Sequence, residues 1–189
     1  MKETERGEEA EELRELVNGF ASRVYAYVRR RVPVDDAESI VNDVFLTAWR
    51  KLNRLPDDPL PWLLVTARKL AANQIRANGR QRDLHQRVAD LGDIAHHPAV
   101  DDLAVERSML LTALAELSDD DREALLLVGW DGLDHREAAK VAGCSAGAFS
   151  ARLARARTRL HRKLDPDAPE TLPTLTPFAQ MTGDCHDRV

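Results

Sequence analysis

The chain has 189 residues, 43% hydrophobic and 31% charged, so it is long enough for one core or two small ones and too apolar for a disordered protein. No apolar run approaches the ~18 residues that cross a bilayer, the acidic N-terminus lacks the apolar region of a secretory signal, and two cysteines are too few for a disulfide framework. We therefore expect a cytoplasmic protein without membrane insertion. Aromatic residues make up 5%, and runs that alternate β-branched with polar residues are absent, which predicts an all-α fold.

The net charge of −5 conceals two basic segments. Residues 144–164 contain six Lys or Arg and no acidic residue, and residues 62–82 contain five and none. The rest of the chain has 16 basic residues against all 32 acidic ones. Such segregation predicts two contacts with a polyanion, while the acidic remainder opposes non-specific binding.

Three amphipathic helices are predicted in residues 8–82, because apolar residues recur at spacings of three and four. The first covers about 8–31. The second is expected to be capped by Asp35 or Asp36. The third starts near Trp62, after a proline-rich loop. The apolar side of the second helix is predicted to comprise Ile40, Val41, Val44, Phe45, Ala48, Trp49 and Leu52. The polar side of the third is predicted to comprise Arg68, Lys69, Asn73, Gln74 and Arg76.

Residues 83–104 change in character, with five Asp, one Arg and weak periodicity, which indicates a linker. A second helical unit is expected over 105–164, where Ser118 and Asp121 have the spacing of a capping box. Residues 165–189 contain four prolines and are expected to form a flexible C-terminal extension. The chain is thus predicted to have two small helical domains, 8–82 and 105–164, joined by an acidic linker.

A helix-turn-helix is predicted over 134–163. Asp134 begins a short helix that ends at Ala142, Gly143 forms the turn, and Ser145 caps the last helix. The first turns of that helix have small side chains, which would let it enter a major groove with its free N–H groups towards phosphate. Its apolar stripe is Phe149, Leu153, Ala156 and Leu160, and another face carries Arg152, Arg155, Arg159 and Arg162.

Two interpretations of these basic residues are open. The arginines can contact phosphates or guanine, or they can form an ordinary solvated face. The absence of acidic residues four positions away within the segment weighs against the second. On the third helix, a basic side with Trp62 can hold a single strand by stacking. Trp62 can also be a core aromatic beside a proline turn, and its chemistry alone favours this second interpretation.

The residues provide no enzymatic site. Motifs of a P-loop, a nucleophile elbow or a zinc protease are absent. His96-His97 and Cys185-His186 lack further ligands at zinc-binding spacing, and Cys144 is expected to be a small packed residue. We expect no enzyme activity, no cofactor and no metal.

Three colinear blocks, DAESIVNDVFLTAWRKL (36–52), PWLLVTARKLAANQIRANGR (61–80) and 117–164, together resemble the extracytoplasmic-function (ECF, group 4 sigma-70) sigma factors of bacteria. The resemblance extends over about 13–164 and implies a sigma-70 region 2 bundle (σ2), a linker in the RNA-exit path and a region 4 helix-turn-helix (σ4). It implies binding to RNA polymerase core and promoter recognition at the start of transcription. An anti-sigma factor is a further implied partner.

The resemblance also assigns residues to three contacts. Docking on the β′ clamp helices of core polymerase is implied for Glu38, Asn42, Asp43 and Arg50. The β flap is a second implied contact on core polymerase. Recognition and opening of the −10 element is implied for Asn53, Trp62, Arg68, Lys69, Asn73, Arg76 and Arg80. Recognition of the −35 duplex is implied for Ser145, Gly147, Ser150, Arg152, Arg155, Arg157 and Arg159.

Some residues depart from the family pattern. Ser39 stands where an acid is usual, Asn42 where Gln is frequent, and Ser150 at a position that is often basic. The main alternative is a stand-alone helix-turn-helix regulator that binds duplex operator DNA without polymerase. That hypothesis explains 117–164 but leaves 36–82 without a role. An adaptor that binds only proteins predicts no salt-sensitive DNA contact.

Overall fold

A computed structural model describes residues 2–78 and 102–165, and within these ranges every regular element is helical, as predicted. The chain divides into two compact units, residues 1–94 and 95–189, and the division falls inside the predicted linker. None of the described helices is both long and apolar enough to cross a membrane. The predicted extension beyond Asp165 and most of the predicted linker lie outside the described residues.

The first unit is a bundle of three helices, α1 (Lys2–Arg29), α2 (Val34–Trp49) and α3 (Leu60–Asn78), with a short 3-10 helix at Leu52–Arg54. Helix α1 begins six residues before the predicted start at residue 8. All three helices pack against one another. Their shared core consists of apolar side chains that are almost fully buried, among them Val24, Tyr27, Val28, Ala37, Val44, Ala48, Leu63, Leu64 and Ala67.

The predicted cap of α2 is wrong. Pro33 occupies the N-cap position and no side chain caps the helix, so that Asp35 and Asp36 both lie in the first turn. Proline is suited to a helix start because it has no N–H to satisfy, and the helix dipole favours acids in the first turn. The Asp36 carboxylate instead accepts a hydrogen bond of 3.0 Å from Gln74 Nε2 on α3.

Gln74 was predicted on the polar side of α3, and the structure corrects this. Its side chain is half-buried and faces α2, where its amide satisfies Asp36. A polar side chain can occupy the inner side of a helix when a partner is within hydrogen-bonding distance. Helix α3 begins at Leu60, two residues before the predicted start, where Asp58 Oδ1 accepts from the Leu60 N–H at 3.2 Å.

The second unit contains α4 (Asp102–Ala115), α5 (Asp119–Gly129), α6 (His135–Ala142) and α7 (Ala146–Leu164). Helix α4 starts three residues before the predicted domain boundary at residue 105. Ser118 is the N-cap of α5 and accepts from the Asp121 N–H at 3.3 Å, as predicted. The core is formed mainly by buried apolar side chains of all four helices, including Leu114, Ala124, Leu127, Ala138, Val141, Phe149, Leu153, Ala156 and Leu160.

The turn between α6 and α7 confirms the predicted helix-turn-helix. Asp134 forms a capping box with Glu137 at the start of α6. Gly143 ends α6 with a left-handed backbone (φ 72°), and the Cys144 N–H donates to Ala139 O at 3.0 Å, which closes the helix end. Ser145 then caps α7 by accepting from the Ala148 N–H at 3.2 Å.

Candidate nucleic-acid interface

The N-terminal end of α7 has little side-chain bulk. Ser145, Ala146, Gly147 and Ala148 are all exposed. A Cβ atom placed on Gly147 would meet nothing within 4 Å, so the surface in front of it is open. With its free N–H groups, this end of the helix can approach a phosphate or the floor of a groove closely.

The basic side chains of α7 fall into three groups around the helix. At 100° per residue, Arg155 and Arg162 lie on the side away from the buried stripe, and both are exposed. Arg157 is half-buried on one flank, next to the side of Ser150. The other flank, with Arg152, Arg159 and Lys163, faces α4 and α5, and its three cations have acidic partners there.

Three ion pairs connect that flank to the preceding helices. Arg152 Nη1 lies 3.4 Å from Asp120 Oδ2, and Lys163 Nζ lies 2.5 Å from Glu116 Oε2. Arg159 pairs with the Asp121 carboxylate, whose side chain is only 6% exposed. Residues 144–164 contain no acidic residue, and the acidic partners of α7 come from α5 and the turn before it. Arg152 and Arg159 therefore contact their own unit, and Arg155 is an exposed predicted −35 arginine on the outer side of the helix.

Ser150 lies against the first helix of the motif. Its Oγ is 3.2 Å from His135 Nδ1, and the His135 ring meets Phe149 edge-on with 6.2 Å between ring centroids. At the start of α6, the pKa of Asp134 is held below its usual value, chiefly because the carboxylate accepts a hydrogen bond from the Glu137 N–H. These contacts fix the start of α6 against α7. Ser150 thus contributes to the packing of the motif.

Only some of the predicted −10 residues lie on one side of α3. Trp62, Lys69, Asn73 and Arg76 follow one another at spacings of seven, four and three, which places them on a single stripe. Arg68 is half-buried on the flank of that stripe. Asn53 is exposed in the 3-10 helix, and the predicted Arg80 lies outside the described residues.

Trp62 is half-buried, so part of its ring packs in the unit and part is accessible. The Lys51 ammonium lies 6.0 Å from the centroid of the ring, at the limit of a cation–π contact. Sequence reasoning missed Lys51, although a cation on the loop that leads to a predicted stacking residue was the available signal. The arrangement places an aromatic face and a positive charge at the start of the α3 stripe.

The outer face of α2 combines polar and apolar side chains. The predicted residues Glu38, Asn42, Asp43 and Arg50 are all exposed. Two large apolar side chains accompany them, Leu46 at 45% and Trp49 at 50% exposure.

Trp49 was predicted on the buried side of α2, and that prediction is wrong. It lies at the edge of the apolar stripe, where the helix ends and only part of a large ring can be covered. Leu46 was not predicted, although its position nine residues after the buried Ala37 places it half a turn away from the core. Exposed large apolar residues beside charged ones are typical of a protein-binding surface.

A groove of about 310 Å³ runs between α2 and α3 and joins two of the predicted contacts. Asp43 and Ser39 line it from α2, and Asn73 and Gln74 from α3. Residues assigned to core binding and to the −10 element therefore adjoin on this unit. Among the described residues, no three His, Cys, Asp or Glu side chains are grouped as metal ligands would be.

Comparison with known proteins identifies related chains over both units. The families described as "Sigma-70 region 2" and "Sigma-70, region 4" match residues 16–81 and 107–160. The ECF RNA polymerase sigma factor SigC of Mycobacterium tuberculosis is 32% identical over 159 residues, which cover 82% of this chain and 84% of SigC. The probable RNA polymerase sigma factor RfaY of Xanthomonas campestris is 35% identical over 136 residues, 68% of this chain but only 34% of RfaY.

A solved structure is also similar. The sigma factor RpoE of Bartonella quintana, in complex with the anti-sigma factor NepR, matches with a TM-score of 0.60 and 28% identity. The match covers 82% of this chain and 98% of the RpoE chain. Both the sequence and the fold are therefore similar to one group of proteins over most of the described residues.

Proposed function

The chain belongs to the extracytoplasmic-function sigma factors of the sigma-70 family, which direct RNA polymerase core to promoters, and from that premise we propose how its two units divide this work. The predicted domain 8–82, in the first unit, binds core polymerase and the −10 element. The predicted domain 105–164, in the second unit, binds the −35 element. Residues 83–104 connect them, and 165–189 form an extension.

In the second unit, α7 enters the major groove of the −35 duplex with its small-residue end. Ser145 and Gly147 permit the close approach, and the exposed Arg155 makes the main charged contact. Arg157 contributes from the flank. Arg152 and Arg159 can contribute only to the extent that their acidic partners release them.

In the first unit, the stripe on α3 contacts the −10 element. Lys69 and Arg76 follow the phosphate backbone, and the accessible part of Trp62 stacks on an unpaired base. Asn73 can hydrogen-bond to a base or sugar from the middle of the stripe. Asn53 and Arg80 belong to the same contact by the family resemblance, and Arg68 supports it from the flank.

The outer face of α2 binds core polymerase. Leu46 and Trp49 supply apolar area that becomes buried, and Glu38, Asn42, Asp43 and Arg50 surround it with polar contacts. This face carries the proposal, because a stand-alone regulator would have no use for a second exposed surface of this composition on a separate unit.

We further propose that the protein acts in the cytoplasm without enzymatic activity and is held inactive by an anti-sigma factor, as its similarity to a sigma factor solved with NepR suggests. The exposed surfaces proposed for polymerase and DNA are the ones an inhibitor would have to cover. Copurification from cells with an inhibitory protein that polymerase core displaces would support this.

The proposed function is tested by in vitro transcription with core polymerase and the full chain on a pool of genomic promoters. The expected result is a set of transcripts that depends on the chain and whose templates share −35 and −10 motifs. Core polymerase alone is the control. Tight binding of one operator by the free protein, with no transcripts from the pool, would show a stand-alone regulator instead.

A further inference from the structure

Within the part of the chain that the structure describes, half of the Lys and Arg side chains of α7 form ion pairs with acidic side chains. The helix carries six Lys or Arg residues, and Arg152, Arg159 and Lys163 pair with Asp120, Asp121 and Glu116 respectively. Asp120 and Asp121 belong to α5, and Glu116 lies in the turn between α4 and α5. The acidic partners of α7 therefore come from outside its own sequence.

The three pairs differ in burial. The Asp121 side chain is 6% exposed, and a buried carboxylate must keep its cation, so Arg159 is held in place. The Asp120 side chain is 62% exposed and lies 3.4 Å from Arg152. The Arg152 side chain is 24% exposed. A pair whose carboxylate lies largely in solvent is weak, so another anion can replace that carboxylate. Arg152 is also the paired cation nearest the small-residue end of α7.

We propose that Asp120 restrains DNA binding by the second unit. Its carboxylate neutralises Arg152 in the free protein, and a DNA phosphate has to displace that carboxylate before Arg152 can contact the backbone. The inference rests on the proposed function, in which α7 contacts duplex DNA. Because phosphates are alike in every sequence, the restraint lowers the affinity for promoter and non-promoter duplexes alike. It reduces the time the protein spends on the large excess of non-specific DNA.

Asp119 provides a matched control. It is exposed, lies in the same first turn of α5, and pairs with Arg122 of the same helix. Arg122 is buried and also donates to Ala115 O and Leu117 O, both at 3.2 Å. Asp119→Asn therefore removes the same charge from the same helix end, at a carboxylate that pairs within α5.

The experiment measures binding of holoenzyme, assembled from core polymerase and the full chain, to a promoter duplex and to a scrambled duplex at several salt concentrations, with core alone as the blank. Asp120→Asn is expected to raise the affinity for both duplexes about two- to fivefold at low salt, with a smaller gain at high salt. Asp119→Asn should change neither. In an Arg152→Ala background, Asp120→Asn should have no effect, which assigns the gain to this pair.

The same measurements can overturn the proposal. An unchanged affinity of the Asp120→Asn holoenzyme would do so, as would an equal gain in Asp119→Asn, which would indicate a general charge effect. A gain confined to the promoter duplex would exclude displacement by phosphate. If the wild-type holoenzyme binds neither duplex better than core alone, the proposed function itself is contradicted. Circular dichroism of both variants confirms that each is folded.

Discussion

Arg155 and Arg159 are one helical turn apart on α7 and have different surroundings. Arg155 is exposed on the outer side of the helix, while Arg159 pairs with the buried carboxylate of Asp121. We therefore propose different roles for the two arginines: Arg155 contacts DNA, whereas Arg159 holds α7 against α5. The spacing of arginines along the sequence does not distinguish an exposed arginine such as Arg155 from a paired one such as Arg159.

Arginine-to-alanine substitutions at these two positions are expected to have opposite signatures. Arg159→Ala leaves the Asp121 carboxylate buried without its cation and should lower the free energy of unfolding by about 1–3 kcal/mol. Arg155→Ala should change stability by no more than about 0.5 kcal/mol and weaken promoter binding by about 1–3 kcal/mol. Urea unfolding followed by circular dichroism and promoter binding by holoenzyme measure the two effects. Equal stability losses in the two variants would contradict the assignment.

At the scale of elements, the helix-turn-helix depends on two glycines with different constraints. Gly143 has a φ of 72°, where a residue with a Cβ is strained, and its position ends α6. Gly147 is inside α7, and a Cβ there would meet nothing within 4 Å. Its lack of a side chain has no role in packing among the described residues, which leaves the proposed close approach to DNA as its use.

Replacing each glycine by alanine distinguishes these roles. Gly143→Ala is expected to lower the free energy of unfolding by about 1–2 kcal/mol because of the left-handed backbone. Gly147→Ala should raise it by no more than about 0.5 kcal/mol, since alanine is a better helix former than glycine but position 147 is in the first turn, and should at the same time weaken −35-dependent transcription. Thermal unfolding and in vitro transcription provide the two readouts. Full transcription by a stabilised Gly147→Ala variant would rule out a close approach at this position.

Helix ends and apolar stripes were predictable because their causes are local. Asp134, Gly143 and Ser145 mark the ends of α6 and α7 by hydrogen bonds and backbone geometry that involve residues within a few positions. The cap of α2 was not predictable in the same way, since several residues in a row could begin that helix and Pro33 was as suitable as either aspartate. Local sequence rules limit the first residue of a helix to a few candidates but do not identify which of them it is.

The features that sequence missed depend on contacts between helices. Gln74 satisfies Asp36 across two helices, and Arg152 meets Asp120 on another one. The exposure of Trp49 depends on where the neighbouring helices leave the end of α2 uncovered. A pattern of residue types along one helix contains none of this. Residue types alone left Trp62 open between core and interface, and its ring is half-buried in the structure.

At the scale of the whole molecule, each unit has a core of its own and its own set of exposed residues with a proposed function. The proposed polymerase contact on α2 lies in the first unit, and the proposed −35 contact on α7 lies in the second. Affinity for a promoter is then assembled from contacts that are individually modest. We expect the excess of acidic residues outside the two basic segments to keep the DNA affinity of the chain low until core polymerase is bound.

This division predicts that defects in the two units are separable and additive. Asp43→Lys reverses a charge on the exposed face of α2 and should weaken binding to core polymerase, while Arg155→Ala should weaken −35-dependent promoter binding and leave core binding unchanged. Affinity for core is measured with labelled protein, and promoter binding is measured at saturating core. Because the residues lie in units with separate cores, the free-energy losses in overall transcription should add in the double variant to within about 0.5 kcal/mol.

A loss of core binding in Arg155→Ala, or normal core binding in Asp43→Lys, would contradict the assignment of that residue. Strong non-additivity would instead show that the two contacts form one coupled surface in the transcription complex.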